Sequence, residues 1–358
     1  MISDLELSTP MAPFWYNINM RTRKIKTFYD DRQVLEQDSY SNYSKSPLKP
    51  KLLLEYFKEK GLFKHLSVTN EFKPYSKNDF KLAHESSYIE EFFNGTGRCS
   101  SNGLAWSKQF ADSVRYTNAS LHAAIRNSIV NPSEVSFSPT SGFHHARPSG
   151  GSGFCTFSGQ VIASLKIYRE FGASGAYLDL DGHFGNSIED SRSFCKELNL
   201  AIPQDFNINP IGIDSDYLAD LAKWLERLKH AIINGKIQYV VWCHGADSHA
   251  DDNLGSQCET EYWIACSTLF WSWVKEMDEL LGRPLPVSCA LFGGYRDDDY
   301  TSVLSLHTAD FVECFTELLG LDVKYTIEVK PRLKMGYYND ELITGKRKRA
   351  RKRMDQKI

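Results

Sequence analysis

Residues 176–186 read AYLDLDGHFGN, an apolar run from which Asp179, Asp181 and His183 protrude at alternate positions. In an extended chain successive side chains point to opposite faces, so these three share one side. Burying two carboxylates and an imidazole together is costly unless something cationic compensates them. A metal ion is the simplest compensation. The same run settles the local structure: "GAYLDLD" is a buried strand entered from a glycine-containing turn, and "TFSGQVIASLKIYREFG" before it has helical periodicity.

Working outward, strand and helix keep alternating. "NASLHAAIRNSIV" reads as a helix and "EVSFSP" as a short strand; "SDYLADLAKWLERLKHAIING" is an amphipathic helix with Ser215 or Asp216 at its start and Gly235 at its end. "IQYVVWCHGAD" and "PVSCALFGGY" are buried strands, followed by the helices "EYWIACSTLFWSWVKEMDELLG" and "SLHTADFVECFTELLG". The first hundred residues are more polar, with helices expected over "PKLLLEYFKEKGL" and "SSYIEEFFNG". This alternation predicts an α/β fold: a single domain with a mostly parallel sheet flanked by helices on both faces. The domain is expected over residues 1–345.

Composition narrows the class. With 358 residues, 42% hydrophobic and 24% charged, the chain can bury a substantial core. No apolar run approaches the roughly 18–20 residues of a membrane span, and the N-terminus lacks a basic start followed by an apolar stretch. Eight cysteines carry no CxxC spacing and read as reduced thiols. The cytoplasm is the expected compartment. Residues 346–358, KRKRARKRMDQKI, hold eight basic residues and one acid; against a net charge of −3 overall, the rest of the chain carries −10. An acidic body with a short basic tail is not a chain-wide nucleic-acid binder, and only the tail, expected to be a disordered extension, offers a polyanion contact.

The polar insertions fall into register. "SFSPTSGFHHARP" follows one strand, "DLDGH" ends the second, "GAD" the third and "GGY" the fourth. Ligands of open parallel sheets bind beyond the carboxyl ends of the strands. Four segments thus deliver His144, His145, Asp179, Asp181, His183, Asp247 and Tyr295 to one rim. Two carboxylates and an imidazole suit an open zinc site, with Asp181, His183 and Asp247 as ligands. Asp179, one pleat further in, is placed to orient a neighbour. The tandem histidines supply nitrogen bases, and Tyr295 a hydroxyl for a developing oxyanion. Gly293 and Gly294 let their backbone approach closely, and the glycine-rich "RPSGGSGF" shapes a loop over the site.

This ordered set resembles the zinc-dependent histone deacetylase family, of the arginase–deacetylase fold, from about Tyr29 to Leu321. The resemblance rests on "GFHHARPSGGSGFCTF", "YLDLDGHFGNSIED", "GADSHADDNLG" and "LFGGY", with weaker likeness in "SPLKPKLL", "KLAHESSYIEEFFNG" and "NGLAW". It implies zinc on Asp181, His183 and Asp247, His144 and His145 as the catalytic pair, and Tyr295 as the catalytic tyrosine. It further implies that Asp179 pairs with His144 and helps hold a structural potassium ion. Asn186 stands where class II and bacterial members also have Asn, orienting the second histidine. Phe154, Gly153, Leu254 and Gly294 fall on the acyl-lysine tunnel. The implied reaction is zinc-assisted hydrolysis of an acyl amide on a lysine or a small amine such as a polyamine.

The chain departs from the family in three places. Phe184 replaces a second histidine, "NPIGIDSDY" replaces the usual GTG loop, and Leu254 stands where acetylpolyamine-selective members have Glu. The competing readings are a non-catalytic acyl-lysine-binding or nucleic-acid-associated scaffold, and a binuclear manganese ureohydrolase. The latter needs a carboxylate where this chain has Gly185.

Overall fold

The computed structural model describes residues 21–35 and 44–332. Seven strands form one sheet: β1 (Ile25–Phe28), β2 (Leu66–Thr69), β3 (Ser136–Ser138), β4 (Gly175–Asp179), β5 (Asn207–Ile208), β6 (Tyr239–Cys243) and β7 (Val287–Ala290). Their order is β2-β1-β3-β7-β6-β4-β5, and every pairing is parallel. The four central strands β3, β7, β6 and β4 are the four whose ends carry the polar insertions. A parallel sheet ends all its strands on one edge, so those insertions meet there.

Alternation along the central strands divides the core in two. Ala176 and Leu178 of β4, Val240 and Trp242 of β6, and Val287 and Cys289 of β7 point to one face, against the helices Lys49–Glu59, Ser215–Ile233, Thr260–Leu281 and Tyr300–Glu313. Tyr177, Tyr239, Val241, Cys243 and Ala290 point to the other, against Ser86–Asn94, Lys108–Val130 and Gly159–Phe171. Helices on both faces explain why the strands read as unbroken apolar runs. Trp242 stacks on Phe270 of the Thr260–Leu281 helix at 4.0 Å and 2°, which adds specific aromatic packing to area burial.

Two local readings are revised. β1 and β2 escaped the sequence pattern because each has four residues; β2, at the sheet edge, is half exposed. The helix expected from Asn118 begins at Lys108, where the Ser107 hydroxyl accepts the Phe110 N–H at 3.0 Å and caps it. The helix read with Ser215 or Asp216 at its start does begin at Ser215. Asp214 precedes it at φ 51, and its carboxylate accepts the Glu259 N–H. Gly235 stands just past that helix at φ 68, the left-handed stop glycine provides. The basic segment 346–358 lies outside the described residues.

Candidate active site

β4 ends at Asp179, and the chain then bends so that Asp181 and His183 lie beyond the sheet edge. β6 pairs directly with β4 and ends at Cys243, four residues before Asp247. One atom each of Asp181, His183 and Asp247 lies within 4.8 Å of the others. His183 Nδ1 is 3.0 Å from Asp181 Oδ1 and 3.0 Å from Asp247 Oδ2. The side chains of Asp181 and Asp247 are 1% and 0% exposed and that of His183 is 37%, so the trio opens to solvent on the histidine side.

The trio's electrostatics ask for a cation. Burial, and then the Asp181 charge, push the Asp247 carboxyl up to about 8. The two carboxylates, by accepting hydrogen bonds from His183, hold its imidazole up to about 11. Burial alone would raise Asp181, yet the His144 charge and the His183 bond hold it below the usual carboxylate range. Asp247 Oδ1 is buried with no hydrogen-bond partner, a rare situation for a carboxyl oxygen. A divalent ion between these three donors meets each demand, and Asp/His/Asp with one side open is a donor set zinc accepts. The residues present fit the metal. Gly293 makes the approach possible: a Cβ there would lie 2.3 Å from Asp247 Cγ.

The histidines are set by two different partners. His144 Nδ1 donates to Asp179 Oδ2 at 3.0 Å, and both residues are buried. Burial would lower the His144 pKa, but the Asp181 and Asp179 carboxylates outweigh it and hold it up to about 9. His145 Nδ1 lies 2.8 Å from Asn186 Oδ1. The Asn186 amide nitrogen donates to Asp190 at 2.6 Å, so its oxygen must accept and His145 carries its proton on Nδ1. Burial, then the His144 charge, push His145 down to about 4. The two imidazoles, with ring centroids 4.0 Å apart, are thus pushed in opposite directions, His144 toward its charged form and His145 toward the neutral one.

Tyr295 closes the rim from the end of β7. Its ring lies 6.4 Å from that of His183 and 5.6 Å from that of Phe154. Burial, and then the Asp181 and Asp247 charges, raise its hydroxyl well above the usual range, so it stays a donor. Gly153, at φ 49, lies where a Cβ would meet His145 Cδ2 at 2.5 Å. Leu254 is 42% and Phe184 59% exposed. Gly185 has no room for the carboxylate of a second metal, because a Cβ there would lie 2.1 Å from Asp179 Oδ2.

Sequence reasoning passed over two buried charges here. Lys49, 0% exposed, donates from Nζ to the Phe292 carbonyl. Burial pushes its ammonium down to about 8 against the attraction of Asp247, Asp181 and Asp252. Asp252 accepts the backbone N–H of Tyr295 at 2.6 Å and of Leu254 at 2.8 Å. A lysine inside the apolar "PLKPKLLL" was the available signal for the first; nothing local distinguishes Asp252 from Asp251.

The histone deacetylase domain model matches residues 43–201, which carry both histidines and two members of the Asp181–His183–Asp247 trio. The family model, the relatives and the solved structure together support membership of the histone deacetylase family. The chain is 24% identical over 347 residues to histone deacetylase 8 of Danio rerio, covering 86% of this chain and 84% of that one. It is 27% identical over 234 residues to an uncharacterized protein of Picosynechococcus, covering 60% and 74%. Histone deacetylase 14, chloroplastic, of Arabidopsis thaliana is 29% identical over 138 residues, 34% of this chain and 32% of that one. The HD domain of HDA15 superposes with a TM-score of 0.64 at 16% identity, over 86% of this chain and 91% of that one. The fold is thus the arginase–deacetylase fold that the family resemblance implied. These matches support a deacetylase-type hydrolase, and the family implies an acetylated substrate. No helix among the described residues is long and apolar enough to cross a membrane.

Proposed function

We propose that this deacetylase is zinc-dependent and removes the acyl group, acetyl first, from a lysine side chain or a small amine. The observation that carries the reading is the meeting of an Asp181–His183–Asp247 trio, an unlike histidine pair and a buried tyrosine on one rim. Asp181, His183 and Asp247 would hold the zinc, which when bound supplies Lewis acidity toward a carbonyl and makes a bound water more acidic.

The chain's own groups divide the remaining work. Asn186 and Asp190 fix His145 with its Nε2 lone pair free, so His145 is the general base that takes a proton from the attacking water. His144, kept charged by Asp179, holds positive charge beside the developing oxyanion and gives its proton to the leaving amine, after which the proton taken by His145 restores the pair. The Tyr295 hydroxyl donates to the oxyanion. Phe154 and Leu254 give the substrate's methylene stem apolar walls, and Gly153 lets the Phe154 loop lie against His145. An apolar Leu254 offers nothing to a second cationic nitrogen, which favours lysine over a polyamine as carrier.

The test is zinc-loaded protein incubated with acetyl-lysine peptides, acetylated polyamines and small acylated amines, with products followed by mass spectrometry. Loss of the acetyl group from the lysine peptides is expected. Full zinc content without turnover of any acyl amide would reject the reading.

A further inference from the structure

Tyr295 ends a backbone stretch that is not relaxed. Phe292 has φ 69 and Gly294 φ 146, in the region where side chains other than hydrogen are crowded. Such conformations persist where the surroundings over-determine them. Upstream of the tyrosine, the Gly293 N–H donates to Asp181 Oδ2 at 2.8 Å, and its carbonyl accepts the Ala246 N–H at 3.0 Å. At the tyrosine itself, two consecutive residues of another loop take both sides of the peptide. The Tyr295 N–H donates to Asp252 Oδ2 at 2.6 Å, and its carbonyl accepts the Asn253 N–H at 2.9 Å.

The other Asp252 oxygen accepts the N–H groups of Leu254 at 2.8 Å and Gly255 at 3.4 Å. Its backbone carbonyl receives Arg332 Nη1 at 3.1 Å. The side chain is 2% exposed, so its carboxylate serves these amides and not solvent or substrate. A carboxylate accepting backbone N–H is among the stronger hydrogen bonds. Among the described residues no hydrogen bond reaches the Tyr295 hydroxyl, so its place is set from the backbone and by the Phe154 and His183 rings.

We propose that Asp252 is the positioning residue for Tyr295: its carboxylate fixes the backbone that aims the phenol, and links that aim to the Leu254 wall. This rests on Tyr295 being the oxyanion donor. Asp252→Asn is the informative change. An amide of the same shape keeps one accepting atom and turns the other into a donor, facing either the Tyr295 N–H or the Leu254 and Gly255 N–H groups.

The experiment is a double-mutant cycle on the full zinc-loaded chain with Asp252→Asn, Tyr295→Phe and both together. In the tyrosine background, Asp252→Asn should lower kcat about 10- to 100-fold with little change in KM, the signature of a misplaced catalytic group. In the Tyr295→Phe background it should cost less than about 3-fold, since the hydroxyl it positions is already gone. Equal losses in both backgrounds would overturn the proposal in favour of a general structural role. Asp252→Ser, which removes both accepting atoms without adding a facing amide donor, repeats the cycle should Asp252→Asn fold poorly. A readout independent of turnover is fluorine NMR of 3-fluorotyrosine-labelled protein, with the Tyr295 signal identified by its loss in Tyr295→Phe. That signal should shift or broaden in Asp252→Asn at unchanged zinc content, and an unmoved signal would refute positioning. If the wild type hydrolyses no acyl amide the deacetylase reading falls, while the fluorine result still decides the positioning.

Discussion

Replacing His84 with glutamine should flatten the acid limb of this protein's stability. His84 is 1% exposed, and its two ring nitrogens staple both ends of the loop that carries Gly153 and Phe154. Nδ1 donates to the Arg147 carbonyl at 2.9 Å, and Nε2 accepts the Ser158 N–H at 2.8 Å. Protonating Nε2 would set two donors against each other in a buried site. Burial pushes His84 down to about 4 from an ordinary value of 6.5. The unfolded chain therefore binds the proton first, and the stability that neutral His84 contributes is present above about pH 6.5 and lost as pH falls toward 4. At 1.36 kcal/mol per pKa unit the full loss is roughly 3 kcal/mol, of which about 2 kcal/mol is gone by pH 5. A glutamine at this position offers an amide donor and an oxygen acceptor but does not titrate. Urea unfolding at pH 7.5 and 5.0, with chelator present so that metal release does not contribute, should show wild type losing about 2 kcal/mol more than His84→Gln. His122 and His249, also held near 4 by burial, titrate in both proteins and cancel in the difference. Parallel losses in the two proteins would refute the assignment.

Tyr295→Phe keeps the packed ring and removes only the hydroxyl, so kcat should fall on the order of 10²–10³ with zinc and fold retained, as steady-state kinetics beside metal analysis would show; near-wild-type turnover would remove it from the mechanism. Gly185→Ala drives a methyl onto Asp179 Oδ2 and to 3.2 Å from His144 Nδ1; a displaced His144 should cost on the order of 10² in kcat, and an unaltered rate would show that the Asp179–His144 bond is dispensable. Deleting residues 346–358 should leave turnover of a short acetyl-lysine peptide intact and weaken salt-sensitive retention on polyanions; lost turnover would place the segment in the fold.

The central sheet and most of its rim were legible because their physics is local. Runs such as YVVWC read as strands without neighbours, and Asp179, Asp181 and His183 stand out where polar groups in an apolar strand demand explanation. The link from Asp179 to His144, 35 residues away, came from family likeness, and the contiguity of β3, β7, β6 and β4 shows how the fold brings the two together. The roles of Asn186, Phe154 and Leu254 came from family likeness. What stayed hidden depends on long-range closure. β1 and β2 are four-residue strands that acquire meaning only beside β3. Lys49 reaches Phe292 across 243 positions, and Asp252 reaches Tyr295 across 43. No period or spacing in the chain announces either contact.

The measurement that bears most directly on the account is zinc stoichiometry by elemental analysis after exhaustive dialysis, on wild type and Asp247→Ala. Asp247 has no exposed side-chain surface and leaves one oxygen unpartnered beside His183 and Asp181, so that oxygen has no evident task other than holding a cation. The account predicts about one zinc per wild-type chain and a large loss in Asp247→Ala. Wild-type zinc content in that variant, or no zinc in folded wild type supplied with the metal, would contradict it.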